Sequence, residues 1–277
     1  MVKTIKDYKR KIIQFITLVL YNHNFLGFKN AQIYQGPLKN FCAPGLNCYS
    51  CPGAVLSCPL GSFQSFLAKR LSVSILDRIP IYVMGFLVLF GVLFGRIICG
   101  FLCPFGLIQE LIYKIKTPKI KKSRLTHKLT YIRYIILFIF VILIPLIYNV
   151  PGFCKFICPA GTLEAGIPLV SSIKSLQDAI GFIFFQKISI LILILILSVF
   201  IHRVFCRFIC PLGLIYGLFN KISVFGIKVD ENKCTSCDRC VKYCLMDIKS
   251  PGDSNCIECG KCIDICPMSA IKWKSIK

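Results

Sequence analysis

The sequence predicts an α-helical membrane protein with about four transmembrane helices and short surface helices, followed by a small C-terminal α+β domain. Three observations carry that prediction. Of the 277 residues, 56% are drawn from AVILMFWYC and only 17% are charged, against about 25% charged in an average soluble domain. The apolar residues are clumped, as in 191-LILILILSVF-200, where a window of about twenty residues holds one charge, Lys187. Eighteen cysteines recur at fixed spacings. Hydrophobicity excludes a disordered chain, and size excludes a disulfide-rich secreted scaffold.

Four stretches are long enough for a hydrocarbon core of about 30 Å, which takes roughly 20 helical residues. They are 11–28, 79–98, 131–150 and 182–202. The first is interrupted by Asn22, His23 and Asn24. No small-residue cleavage site follows it, so it is read as retained. Pro145 marks a kink in the third. Orientation follows from Lys and Arg, which concentrate in cytoplasmic loops. The N-terminus carries Lys3, Lys6, Lys9, Arg10 and Lys11, and the loop after the second span carries Lys114, Lys116, Lys119, Lys121, Lys122, Arg124 and Lys128. The loop after the third span offers only Lys155 and Lys174, while the first outer loop holds Lys29, Lys39, Lys69, Arg70 and Arg78. Both termini are assigned to the cytoplasm, in a multi-pass protein of the cell membrane. The excess of 34 Lys and Arg over 12 Asp and Glu is then topology signal and counter-charge, and nucleic acid is not an expected partner.

One module recurs along the chain. The segments 96-RIICGFLCPFGLIQELIYKI-115 and 203-RVFCRFICPLGLIYGLFNKI-222 superimpose at a constant offset of 107 residues, a sign of duplicated units. Cys99 and Cys103, four apart, share one helix face. Proline after the second cysteine suits the first turn of a new, amphipathic helix at the membrane surface. Cys99, Cys103, Cys206 and Cys210 are therefore read as an inner set converging on one further cluster, against an alternative of independent dithiols or packing residues. Two outer segments echo the module, 42-CAPGLNCYSCPGAVLSCPLGSFQ-64 and 154-CKFICPAGTLEAG-166. Symmetry makes Cys51, Cys58, Cys154 and Cys158 an outer candidate cluster, with Cys42 and Cys48 spare or substituting. A disulfide or redox-active dithiol stands beside it, since outer compartments oxidise.

From Asp230 the long apolar runs stop, and seven of the twelve acidic residues lie between Asp230 and Asp264. The halves 234-CTSCDRCVKYC-244 and 256-CIECGKCIDICP-267 each read C-x2-C-x2-C-x3-C, the bacterial two-cluster ferredoxin spacing, in which the fourth cysteine ligates the other cluster. Cys234, Cys237, Cys240 and Cys266 are assigned to one [4Fe–4S] centre, and Cys256, Cys259, Cys262 and Cys244 to the second. Leu245 stands where the pattern has proline. Zinc is the competing metal, but its sites pair two C-x2-C units across a longer spacer. The chain divides into a transmembrane domain, 1–227, and a ferredoxin domain, 228–277.

These motifs resemble the NapH/NosR-type integral membrane polyferredoxins, over roughly residue 79 to the end. The resemblance implies an integral membrane electron-transfer protein linking quinol or cytoplasmic reductant to a partner. It implies that the cysteines from Cys234 to Cys266 are cluster ligands, and that Cys99, Cys103, Cys206 and Cys210 are required redox or metal residues. The flavin-bearing half of NosR-like proteins does not carry over.

The expected function is electron relay between a cytoplasmic donor and a membrane or extracytoplasmic partner, as a subunit of an oxidoreductase system without catalytic residues of its own. Alternatives are a redox sensor or assembly factor, and a transmembrane thiol reductant acting through the outer cysteines. Expected partners are the bilayer, a protein redox partner and a candidate quinone; His23 with Asn22 and Asn24 is the candidate contact, against the commoner reading that such a cluster faces and is satisfied by neighbouring helices. His202 matches Gly95 in the other copy, which argues against a ligand role; Glu164 and Asp178 are read as solvated. No phosphate loop, dinucleotide fingerprint or nucleophile–base pair occurs.

Overall fold

The computed structural model describes residues 2–68, 80–120 and 122–274. Lys69, Arg70, Arg78, Lys121 and the side chains of Lys3 and Lys6, all used for orientation, lie outside the described residues, as does the start of the second expected span. Two helices are long and apolar enough to cross a membrane, Arg124–Tyr148 and Phe182–Phe200. Only 28% and 17% of their apolar windows are buried, which separates them from core helices of a soluble fold and supports membrane association.

The other two expected spans come out differently. Ile81–Phe94 is a 14-residue apolar helix, about 21 Å at 1.5 Å per residue, shorter than a hydrocarbon core. Gly95, at φ +49°, ends it. The 11–28 stretch is not one helix. A helix over Val2–Tyr21 stops before Asn22, and Phe25–Asn30 follows as a separate short helix. Asn22 donates to Leu18 O and to Asn47 Oδ1, and Asn24 donates to Pro52 O, so the two asparagines tie the helix end to the following loop.

The Val2–Tyr21 helix is inverted relative to a water-facing one. Its buried stripe is Arg10, Gln14, Thr17 and Tyr21, while Ile12, Ile13, Phe15, Ile16 and Leu20 are exposed. Polar groups face the protein and apolar groups face out, as a lipid surface requires. In the Arg124–Tyr148 helix, Ser123 and Thr126 form a capping box. A π-helical stretch, Leu137–Leu143, precedes Pro145. The widened stretch accommodates proline, which lacks an intrahelical donor and whose ring crowds the preceding turn.

Four short helices begin alike: Pro59–Leu67, Pro104–Ile112, Pro159–Gly161 and Pro211–Phe219 each take a cysteine as N-cap and proline in the first turn. Three of them follow another short helix carrying a cysteine: Ile97–Phe101 with Cys99, Gly152–Phe156 with Cys154, and Val204–Phe208 with Cys206. The C-terminal part opens with a strand, Ile227–Val229, paired antiparallel with Ile271–Trp273, the chain's last described element. It does not hang free. One contiguous buried core joins Cys58 and Cys158, Cys99 through Cys210, and Met246, Ile248, Cys256 and Ile257 of the tail.

Candidate metal centres

In the tail, Cys234, Cys237, Cys240 and Cys266 line one cavity, and Cys244, Cys256, Cys259 and Cys262 line another. These are the two sets expected from spacing. The loops that carry them repeat with an offset of 22 residues, in backbone as well as sequence. Ser236 and Asp238 take positive φ, and so do their counterparts Glu258 and Gly260. Such alternation turns amide groups inward and makes an anion-holding concavity. Glu258 N donates to Cys256 Sγ at 3.3 Å, Met246 N to Cys244 Sγ at 3.4 Å and Ala270 N to Cys266 Sγ at 3.3 Å. Leu245 leaves the local backbone unchanged in kind: Cys244 and Cys266 are both extended, at φ/ψ −64°/136° and −71°/113°.

Cys99, Cys103, Cys206 and Cys210 line a single cavity deep in the core with Leu46 and Tyr216. A reciprocal exchange between the two copies builds it. Arg96 donates to Cys206 O at 3.1 Å, and its counterpart Arg203 donates to Cys99 O. The glycine of each C-P-x-G motif makes room for this. A Cβ on Gly213 would stand 3.2 Å from the Arg96 guanidinium, and one on Gly106 would stand 3.1 Å from that of Arg203. Gly213 N also donates to Cys210 Sγ at 3.4 Å.

The outer set differs from the expected one. The cavity there is lined by Cys48, Cys58, Cys154 and Cys158. Cys51, expected in the fourth place, is buried beside Cys48 with Ala54 and Ala165, outside the cavity lining, and Cys42 is buried in the main core with Cys58. The reason is the path of the 42–58 loop. It does not stay at the outer rim but folds back onto the inner module, so that a Cβ on Gly45 would meet Leu102 O at 2.7 Å. That path lays Leu46 between the inner and outer cavities and delivers Cys48, not Cys51, to the module after the third helix. Glu164, read as solvated, is not: its Oε2 accepts from Cys48 N at 2.7 Å. All eighteen cysteines are free thiols. Burial pushes the Cys158 thiol up to about 12, which disfavours a free thiolate there.

Among the described residues no three His, Cys, Asp or Glu side chains stand close enough to hold a single metal ion. The quartets surround cavities instead, with amide donors aimed at sulfur, and this donor chemistry fits a thiolate-ligated cluster better than one zinc ion.

Between tail and inner module lies a buried ionic group. Glu110 accepts from Arg10 (2.9 and 2.6 Å) and Arg203 (2.8 Å), with His202 Nε2 at 3.8 Å. Burial pushes the Glu110 carboxyl up, but the Arg203 and Arg10 guanidinium groups outweigh it and hold the carboxyl well below the usual range. Arg10, Glu110 and His202 line the cavity of Cys244, Cys256, Cys259 and Cys262, so His202 belongs to this ionic group at the edge of a tail quartet. His23 is exposed, with Nδ1 3.0 Å from Leu20 O. Spacing alone did not reveal Gln64 and Gln109, although both stand six residues after a C-P cysteine.

The segments 79–123, 131–172 and 187–230 each match the family model described as a 4Fe-4S binding domain, and 253–272 matches a second model of that description. An uncharacterized protein of Methanocaldococcus jannaschii is 31% identical over 69% of this chain and 74% of its own length. YccM of Escherichia coli, provisionally assigned to electron transport by its name, is 25% identical over 57% of this chain and 43% of its own. The regulatory protein NosR of Stutzerimonas stutzeri is 26% identical over 57% of this chain and 21% of its own. The chain thus spans less than two thirds of several curated relatives it matches. No solved structure matches it.

Proposed function

Because the chain belongs to the 4Fe-4S binding family of membrane-type polyferredoxins, and is an iron–sulfur electron-transport protein, we propose that it relays electrons between a cytoplasmic donor and a membrane or extracytoplasmic acceptor. Cys234, Cys237, Cys240 and Cys266 would hold one centre, and Cys244, Cys256, Cys259 and Cys262 a second. Cys99, Cys103, Cys206 and Cys210 would hold a third, and Cys48, Cys58, Cys154 and Cys158 a fourth. Bound clusters supply one-electron storage and release on thiolate-ligated iron.

The observation that carries the reading is the continuity of the four quartets. The short helix Arg239–Tyr243, which carries Cys240, packs against Ile263–Ile265 beside Cys262, bringing the two tail halves together. Asn220 bridges the next pair: it donates to Cys256 O at 2.8 Å and accepts from Arg96 N at 2.7 Å. Leu46 lines both remaining cavities, and Tyr216, which lines the inner one, shares a buried core with Cys99 and Cys58. The fully buried Arg96 and Arg203 supply positive charge where ligand thiolates would add negative charge. The inner quartet is buried and Cys48 and Cys154 of the outer one are partly buried, while Cys234 and Cys237 are exposed and mark the donor side.

On this reading both termini face the cytoplasm and 228–277 acts as the receiving domain. The tail from Asp230 carries eight basic and seven acidic side chains, and two clusters of charge about −2 each make it acidic. A donor with a basic face is expected, its association weakening with salt. The test is iron and acid-labile sulfide quantitation with EPR on anaerobically purified protein, followed by electron flux across reconstituted vesicles. Cluster signals with sustained flux support the relay; metal-free, colourless protein overturns it, and clusters without flux point to a sensor.

A further inference from the structure

Gln64 and Gln109 occupy the same place in two modules, six residues after the cysteine of a C-P-x-G motif, in 58-CPLGSFQ-64 and 103-CPFGLIQ-109. Both are fully buried, and they make the same three hydrogen bonds. Gln109 Nε2 donates to Phe105 O at 3.3 Å and to Cys206 Sγ at 3.3 Å, while Oε1 accepts from Phe205 N at 3.0 Å. Gln64 Nε2 donates to Leu60 O at 3.2 Å and to Cys154 Sγ at 3.3 Å, while Oε1 accepts from Phe153 N at 2.8 Å. The amide orientation is fixed, because flipping it would set an NH2 group against a backbone N–H. Each glutamine thus reaches from its own module into the partner module of the same quartet, more than eighty residues along the chain.

The same position in the other two modules is filled differently. Glu164 accepts from Cys48 N at 2.7 Å, and Tyr216 donates to Pro44 O at 3.0 Å. Neither gives a proton to sulfur. Each membrane-domain quartet therefore has one cysteine, Cys206 or Cys154, singled out by a side-chain N–H, and that cysteine is the first of its C-x3-C pair.

We propose that Gln109 and Gln64 are positioning residues that set the reduction potentials of the inner and outer centres, each by a hydrogen bond to one ligand sulfur. This rests on the reading of those quartets as cluster sites. An N–H aimed at a thiolate withdraws negative charge from it and favours the reduced, more negative state, which raises the potential. The Oε1 bond to the preceding phenylalanine holds the short helix that presents the cysteine.

The experiment is an EPR-monitored redox titration of Gln109→Leu, Gln109→Glu, Gln64→Leu and Gln64→Glu with iron quantitation. Leucine removes all three bonds; glutamate keeps the acceptor for the phenylalanine N–H and loses the donor to sulfur. Signals are assigned to the inner or outer centre by their loss in Cys99→Ser and Cys154→Ser. Expected is full iron content with a more negative midpoint for the inner centre alone in the Gln109 variants, and for the outer centre alone in the Gln64 variants. Unmoved midpoints with iron retained overturn the proposal. Loss of four irons in both variants of one glutamine also overturns it, since that makes the residue structural. Unchanged iron content in the cysteine variants would instead remove the cluster reading itself.

Discussion

At the scale of single residues the sharpest consequence concerns Cys48 and Cys51, three apart in one turn, of which only Cys48 lines the outer cavity. Cys48→Ser should lower iron content by about four per chain while Cys51→Ser leaves it unchanged; inductively coupled plasma analysis of anaerobic preparations decides it. Glu110 is the second such residue. Replacement by Gln leaves the Arg10 and Arg203 guanidinium groups buried without a counter-ion, and the chain should lose about 3–5 kcal/mol, read as a lowered unfolding midpoint in detergent. The pH dependence follows in sign. The Glu110 carboxyl lies below its ordinary value of 4.5 in the folded chain, so the unfolded chain binds its proton first. Its contribution is complete at neutral pH and is lost as pH falls below about 4.5. A Glu110→Gln variant should show a flatter stability profile across that range. The cysteines and the Arg96/Arg203 pair were legible in the sequence, because they recur at a fixed offset. The reach of Gln109 was not, because its partners lie 96 and 97 residues away and nothing local announces them.

At the scale of elements, the C-P helices show why the motif takes this form. The cysteine caps the helix, proline fills a first turn that needs no amide proton, and the glycine two residues on admits the partner module. The docking of the tail depends on an equally close approach. A Cβ on Gly100 would meet Ile257 O at 2.5 Å, whereas one on Gly85 meets nothing within 4 Å. Gly100→Val should loosen the tail from the membrane domain, detected as faster hydrogen exchange and proteolysis near 226–230, with Gly85→Ala as the silent control. The short helices were readable from the cysteine–proline spacing. The first expected span was misread because average hydrophobicity does not tell which face of a helix is buried. On Val2–Tyr21 the polar stripe turns inward, and only the contacts with Gly100 O and Glu110 reveal it.

At the scale of the whole molecule, the arrangement is four thiol-lined cavities, from an exposed tail to a partly buried outer quartet. If the outer cysteines hold a cluster, a membrane-impermeant thiol reagent on intact cells should leave Cys48, Cys58, Cys154 and Cys158 unlabelled until iron is removed by a chelator. Labelling before chelation, or only after reduction, would point to free thiols or disulfides.

The sequence by itself determined the class of the protein: spacing of cysteines selects iron–sulfur chemistry, since ligand number and chain reach are local properties. Clumped apolar residues likewise select a membrane setting. What only the tertiary structure decided is that Cys48, and not Cys51, lines the outer cavity, and that this cavity shares Leu46 with the inner one. Those depend on the 42–58 loop folding against a module fifty residues away, and contacts over such separations are set by packing of the whole core, not by any local pattern.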